Sequence, residues 1–197
     1  MVSIVTAICL GVCLSAACGL RVFLPFLIVS VATKCGLLEL RDGWQWLGSW
    51  PAITAFSTAT VLEIGSYYVP WIDNLLDSIA TPAAGISGML MTVAVMPADM
   101  SALQSWCLGI IAGGGTATGV QLVSVGARAV SSASTGGLGN HIVSTGEAVG
   151  AFAISISALF APVIITAIVI TAFGVMVYFV IRKGGNLLFR DKAAALN

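Results

Sequence analysis

Apolar residues gather into six stretches along the chain, over residues 2–32, 51–69, 82–96, 102–129, 144–160 and 162–181. A helix needs about 20 apolar residues to cross hydrocarbon, so each stretch is a candidate span. The first is too long for one straight helix, and Gly19, Arg21 and Pro25 fall where it should break or kink. Polar residues interrupt the pattern twice. Pro70 and Pro82 bracket a segment too short to cross, which carries Asp73, Asn74, Asp77 and Thr81. It reads as an interfacial or re-entrant half-helix; a solvated cytoplasmic helix capped by Asp73 or Asp77 is the competing reading. The second interruption, residues 131–141, is rich in Ser and Gly and reads as an unwound loop or a flexible connector.

Four ionisable residues lie inside the apolar stretches, in the order Arg21, Glu63, Arg128, Glu147. A charge at the centre of a bilayer costs at least about 2.5–3.5 kcal/mol on insertion scales, so such residues mark function or mutual pairing. The surrounding wording repeats. Gly19-Leu20-Arg21 is echoed by Gly126-Ala127-Arg128, and Thr60-Val61-Leu62-Glu63 by Ser144-Thr145-Gly146-Glu147. Pro82 opens a run that reaches Val95-Met96, and Pro162 opens one that reaches Val175-Met176. Three spans per half make the second half enter the membrane upside down. The expected architecture is an all-α polytopic protein of about six transmembrane helices, arranged as an inverted three-plus-three repeat. The first repeat would cover residues 1–101, the second 102–183, and residues 184–197 would form a basic tail.

Composition supports the membrane reading. Of 197 residues, 58% are hydrophobic and only 8% charged, against about 25% charged in an ordinary soluble domain. Net charge is zero, so no nucleic-acid partner is indicated. Arg182, Lys183, Arg190 and Lys192 place the C-terminus in the cytoplasm, and six spans bring the N-terminus there too. Trp44, Trp46, Trp50 and Trp106 would line the outer interface; Tyr67, Tyr68, Trp71 and Tyr178 would line the inner one. The five cysteines are odd in number and form no CxxC, so neither a disulfide framework nor a zinc site is expected. Residues 14–18 imitate a lipoprotein cleavage box. But no Lys or Arg precedes them, and the segment is read as a retained span.

Candidate chemistry is confined to a few places. Arg21 and Arg128 are expected to pair with Glu147 and Glu63, respectively, or to touch a solute directly. Asp73, Asn74, Asp77 and Thr81 offer hard oxygen ligands for a cation or a proton relay. Gly136, Gly137 and Gly139 with Asn140 offer backbone N–H groups for an anion, and His141 titrates near neutrality. No Lys completes a phosphate loop, and no catalytic set is recognisable, so neither an enzyme nor a cofactor is expected. Gly109, Gly113, Gly115 and Gly119 give the spacing that lets helices approach closely, which is compatible with a homo-oligomer.

These elements together resemble a bacterial inner-membrane family, the domain-of-unknown-function 4126 group. The resemblance rests on Gly19-Leu20-Arg21 with Phe23-Leu24-Pro25, and on Glu63 with Pro70, Asp73, Leu76-Asp77 and Thr81-Pro82. It rests further on Ser134-Thr135-Gly136-Gly137-Leu138-Gly139-Asn140, with Val143-Ser144 and Glu147. His141 stands where the family is expected to have Pro. The resemblance implies a multi-span integral membrane protein and no particular activity. The function expected from the residues is movement of an ion or small solute across the lipid bilayer. The alternative is a membrane scaffold or assembly factor that packs on partners through its Gly-rich helices.

Overall fold

The computed structural model describes residues 3–66, 70–135, 139–175 and 178; for residues 70–78, 133 and 134 it describes the backbone alone. The regular elements among these residues are all helices, with no strand. The helices are α1 (Ile4–Leu20), α2 (Phe23–Lys34), α3 (Trp50–Ser66), α4 (Pro70–Val95), α5 (Ala102–Leu108), α6 (Gly115–Thr135), α7 (Asn140–Phe160) and α8 (Pro162–Val175). Residues 1–166 pack as one unit and residues 167–197 form a second.

The first apolar stretch breaks where its sequence says it should. Pro25 has no N–H and is best tolerated in the first turn of a helix, which is where α2, beginning at Phe23, places it. α1 accordingly ends at Leu20, and Arg21 turns extended at φ −147° and ψ 122°. α2 ends at Lys34, and the chain turns away two residues later at Gly36, whose φ of +73° suits a residue without a Cβ. There the Gly36 and Leu37 amides donate back to Thr33 and Ala32 carbonyls at 3.1 and 2.9 Å.

The half-helix expected between Pro70 and Pro82 is instead the start of α4, a continuous helix of 26 residues with Pro82 inside it. Pro70 sits at the first helical position, where its fixed φ favours initiation, and Pro82 forfeits a single backbone bond. The 131–141 loop is also shorter than the sequence suggested. Residues 131–135 are the last turn of α6, and α7 starts at Asn140. Between α5 and α6 the chain forms a π-helical turn over Gly109–Gly114, so the two are one continuous rod. Gly109 and Gly113 face α4 there. A Cβ on Gly109 would meet Val93 Cγ2 at 2.6 Å and the Met89 carbonyl at 3.0 Å.

α1 is the hub, packed on α4, α6 and α7, while α3 packs on α2. Backbones approach closely at the α1–α4–α6 seam. A Cβ on Gly88 would lie 2.5 Å from Ala117 Cβ and 3.2 Å from Ser15 Cβ. The seam is polar in the middle: Ser15 Oγ donates to the Gly88 carbonyl at 2.8 Å and lies 2.8 Å from Thr92 Oγ1. Arg41 closes one end by donating to the carbonyls of Pro97 and Met100, both at 2.8 Å, and to Ser105 Oγ at 2.9 Å. That contact puts the Trp44–Trp50 loop and the residue 97–105 turn at the same end. The outward surface is apolar. Ile111 and Ile142 are 76% and 79% exposed, and Leu103 and Phe160 are each 75% exposed. Two stretches, Ala102–Ser132 and Asn140–Phe160, are long and apolar enough to cross a membrane.

Candidate functional site

The break between α1 and α2 leaves amides with no partner inside a helix. Glu63 of α3 supplies the acceptor. The Val22 amide donates to its Oε1 at 2.7 Å and the Phe23 amide to its Oε2 at 3.0 Å. A carboxylate at a helix N-terminus also meets the favourable end of the backbone dipole. Val22, the N-cap, offers no side-chain cap of its own. Glu63 therefore does for α2 what a Ser or Asp N-cap does elsewhere.

Arg21 points the other way from the same break, into the bundle. It is 1% exposed, the largest of the fully buried side chains. Its Nη2 lies 3.3 Å from Glu147 Oε2 and donates to the Ser144 carbonyl at 2.8 Å and to Ser144 Oγ at 2.5 Å. Glu147 also receives α6. Arg128 Nε donates to Oε1 at 3.3 Å, Arg128 Nη2 donates to Oε2, and Ser124 Oγ donates to Oε1. One carboxylate thus sits between two guanidiniums and a hydroxyl, with Arg128 and Glu147 2% and 6% exposed. Glu63 lies within electrostatic reach of both arginines. Three of the four charges singled out in the apolar stretches, Arg21, Arg128 and Glu147, meet in one centre, and the fourth, Glu63, caps the helix break next to Arg21.

The expected pairing is half right. Arg21 does bridge to Glu147 across the two halves of the chain. Arg128, expected to meet Glu63, also grips Glu147, while Glu63 gives its oxygens to the helix-break amides. The reason is geometric: Arg128 and Ser124 are four apart on one face of α6, so both reach the same carboxylate. The two halves also differ in backbone. The chain breaks after Gly19-Leu20-Arg21 but stays helical through Gly126-Ala127-Arg128.

Of the other expected residues, Thr81 is half-buried on α4. Asp73, Asn74 and Asp77 lie on the same helix, with side chains outside the described residues, and Gly136 and Gly137 lie outside them altogether. Gly139 caps α7, its amide donating to Thr135 Oγ1 at 2.9 Å. Asn140 Nδ2 donates to Ser132 Oγ at 2.9 Å, tying the start of α7 to the end of α6. His141 stands in the first turn of α7, and its carbonyl accepts from Thr145 Oγ1 at 2.7 Å. No group of three His, Cys, Asp or Glu suited to a metal occurs among the described residues. Ser124, Ser144 and Gln121 are site residues that sequence reasoning missed. Their signal was spacing: Ser124 precedes Arg128, and Ser144 precedes Glu147, by one helical turn.

An all-helical bundle with an apolar exterior and a buried, paired charge centre at a helix break defines the class. The chain belongs to the family described as Domain of unknown function (DUF4126), whose model matches residues 8–183. No curated protein and no solved structure matches it.

Proposed function

We propose that this chain is a small polytopic membrane protein that moves an ion or small solute, with six spans in an inverted three-plus-three arrangement and both termini in the cytoplasm of a bacterial inner membrane. The meeting of Arg21, Arg128 and Glu147 beside the α1–α2 break that Glu63 caps carries this reading. Broken helices and charged side chains facing a bundle interior mark solute and ion pathways in membrane proteins. The apolar exterior supports lipid as the surrounding medium, since water would gain nothing from facing Ile111, Ile142 and Phe160. Trp46, Trp50 and Trp106, all exposed near the Arg41 end, support a membrane interface there. Solute flux tests it. Purified protein in proteoliposomes is challenged with gradients of protons, monovalent cations and small anions, with Glu147→Gln as the comparison. Flux that the parent supports and the variant loses is the expected result; no flux for any gradient would remove the reading.

The second reading is a scaffold that packs on other membrane proteins. Gly126 and Gly146 favour it, because a Cβ on either would meet nothing within 4 Å, which leaves room for a neighbouring helix. A protein without flux that co-purifies stoichiometrically with one partner, or with a second copy, would bear this out.

A further inference from the structure

α6 turns one face inward, and Ala117, Gln121, Ser124 and Arg128 follow one another along it at spacings of three and four residues. Ser124 and Arg128 are occupied with Glu147. Gln121, one turn earlier, is 3% exposed, and its Nε2 is buried without a hydrogen-bond partner. A buried amide left in that state is destabilising, so it calls for an acceptor that is present only part of the time.

The clamp beside it is already shaped for such an acceptor. Both oxygens of Glu147 are held, Oε1 by Arg128 Nε and Ser124 Oγ, Oε2 by Arg21 and Arg128. Planar guanidiniums addressing two coplanar oxygens match a carboxylate better than they match a spherical halide.

We infer that the Arg21–Arg128–Ser124 clamp is a binding site for a small carboxylate, which takes the place of the Glu147 side chain, and that Gln121 donates to the incoming anion. Glu147 is then the resident occupant of the solute site. The inference rests on the transport reading above and names its substrate class.

Formate is the probe, with the full chain in lipid nanodiscs and potassium gluconate holding ionic strength constant. Formate raises the melting temperature of the parent saturably. Gln121→Leu weakens that response about tenfold, as befits one lost hydrogen bond to a charged group. Glu147→Ala binds formate more tightly than the parent does. Where that variant fails to accumulate, formate in the growth medium restores its yield. The site is overturned if formate leaves the parent unshifted, if Gln121→Leu responds as the parent does, or if chloride shifts the parent as much as formate. Formate binding without flux in proteoliposomes would remove the transport reading and leave the site. Flux of another solute without formate binding would remove the site and leave transport.

Discussion

Arg21, the first residue past the end of α1, places its guanidinium 3.3 Å from the carboxylate of Glu147 on α7. This contact ties the point where the chain breaks in its first half to the charged residue of its last long helix. Arg128 completes the centre from α6. A pair of arginines on one glutamate makes the centre unequal: removing the acid takes a shared partner from two cations at once, whereas removing one arginine leaves the acid still paired.

Glu147→Ala should therefore be the most damaging single change at the site. Breaking a buried ion pair from one side typically costs about 3–5 kcal/mol. Arg128→Ala should cost less, because Arg21 and Ser124 still hold the carboxylate. The double variant Arg128→Leu with Glu147→Gln should recover part of the Glu147→Ala loss. Thermal unfolding in detergent ranks the four proteins. An Arg128→Ala protein less stable than Glu147→Ala would contradict the shared-acceptor geometry.

Glu63→Ala should cost about 0.5–2 kcal/mol, the usual range for a lost N-cap. Glu63→Gln keeps one acceptor oxygen for Val22 or Phe23 and should fall between. Limited proteolysis at residues 20–24, together with melting temperature, reads the effect. Equal behaviour of Glu63→Ala and the parent would mean that the α2 amides find another acceptor.

The glycines should divide sharply. Gly88→Leu drives a side chain into Ala117 and the Gly113 carbonyl, and overpacking of this kind costs about 1–3 kcal/mol or more. Gly126→Leu points into open space and should leave stability within about 0.5 kcal/mol of the parent, as surface changes usually do. Expression yield and melting temperature separate them. A Gly126→Leu protein that melts normally but loses a co-purifying partner would favour the scaffold reading.

Topology has its own measurement. Reporter fusions at Asn197 and at Asp99 should report opposite sides of the membrane, with Asn197 cytoplasmic. The same side for both would end the six-span count and the inverted repeat together.

The helix break was legible because proline chemistry is local. Pro25 disfavours a helix running on through the residues before it, and Gly19-Leu20-Arg21 marks where the chain turns. Pro82 illustrates the opposite case. Proline inside a helix removes one bond, and packing of α4 against α1 and α6 outweighs that loss, so no separate half-helix forms. Ser131 to Thr135 reads as loop by composition, yet it continues α6, where a hydroxyl can be satisfied by the carbonyl one turn back. Thr135 Oγ1 donates to the Ser131 carbonyl at 2.7 Å, for example.

The sequence by itself determined that the chain is helical and apolar, that it breaks near Arg21, and that charges set in apolar stretches need partners. Those properties follow from composition, from proline geometry and from the cost of an isolated charge in an apolar medium. Only the tertiary structure decided who pairs with whom. Helix register set Arg128 and Ser124 on the same carboxylate as Arg21, and the open amides of α2 claimed Glu63. It also left Gln121 buried and unmatched one turn away. Residues far apart in the chain become neighbours through packing angles and register, which no local pattern encodes.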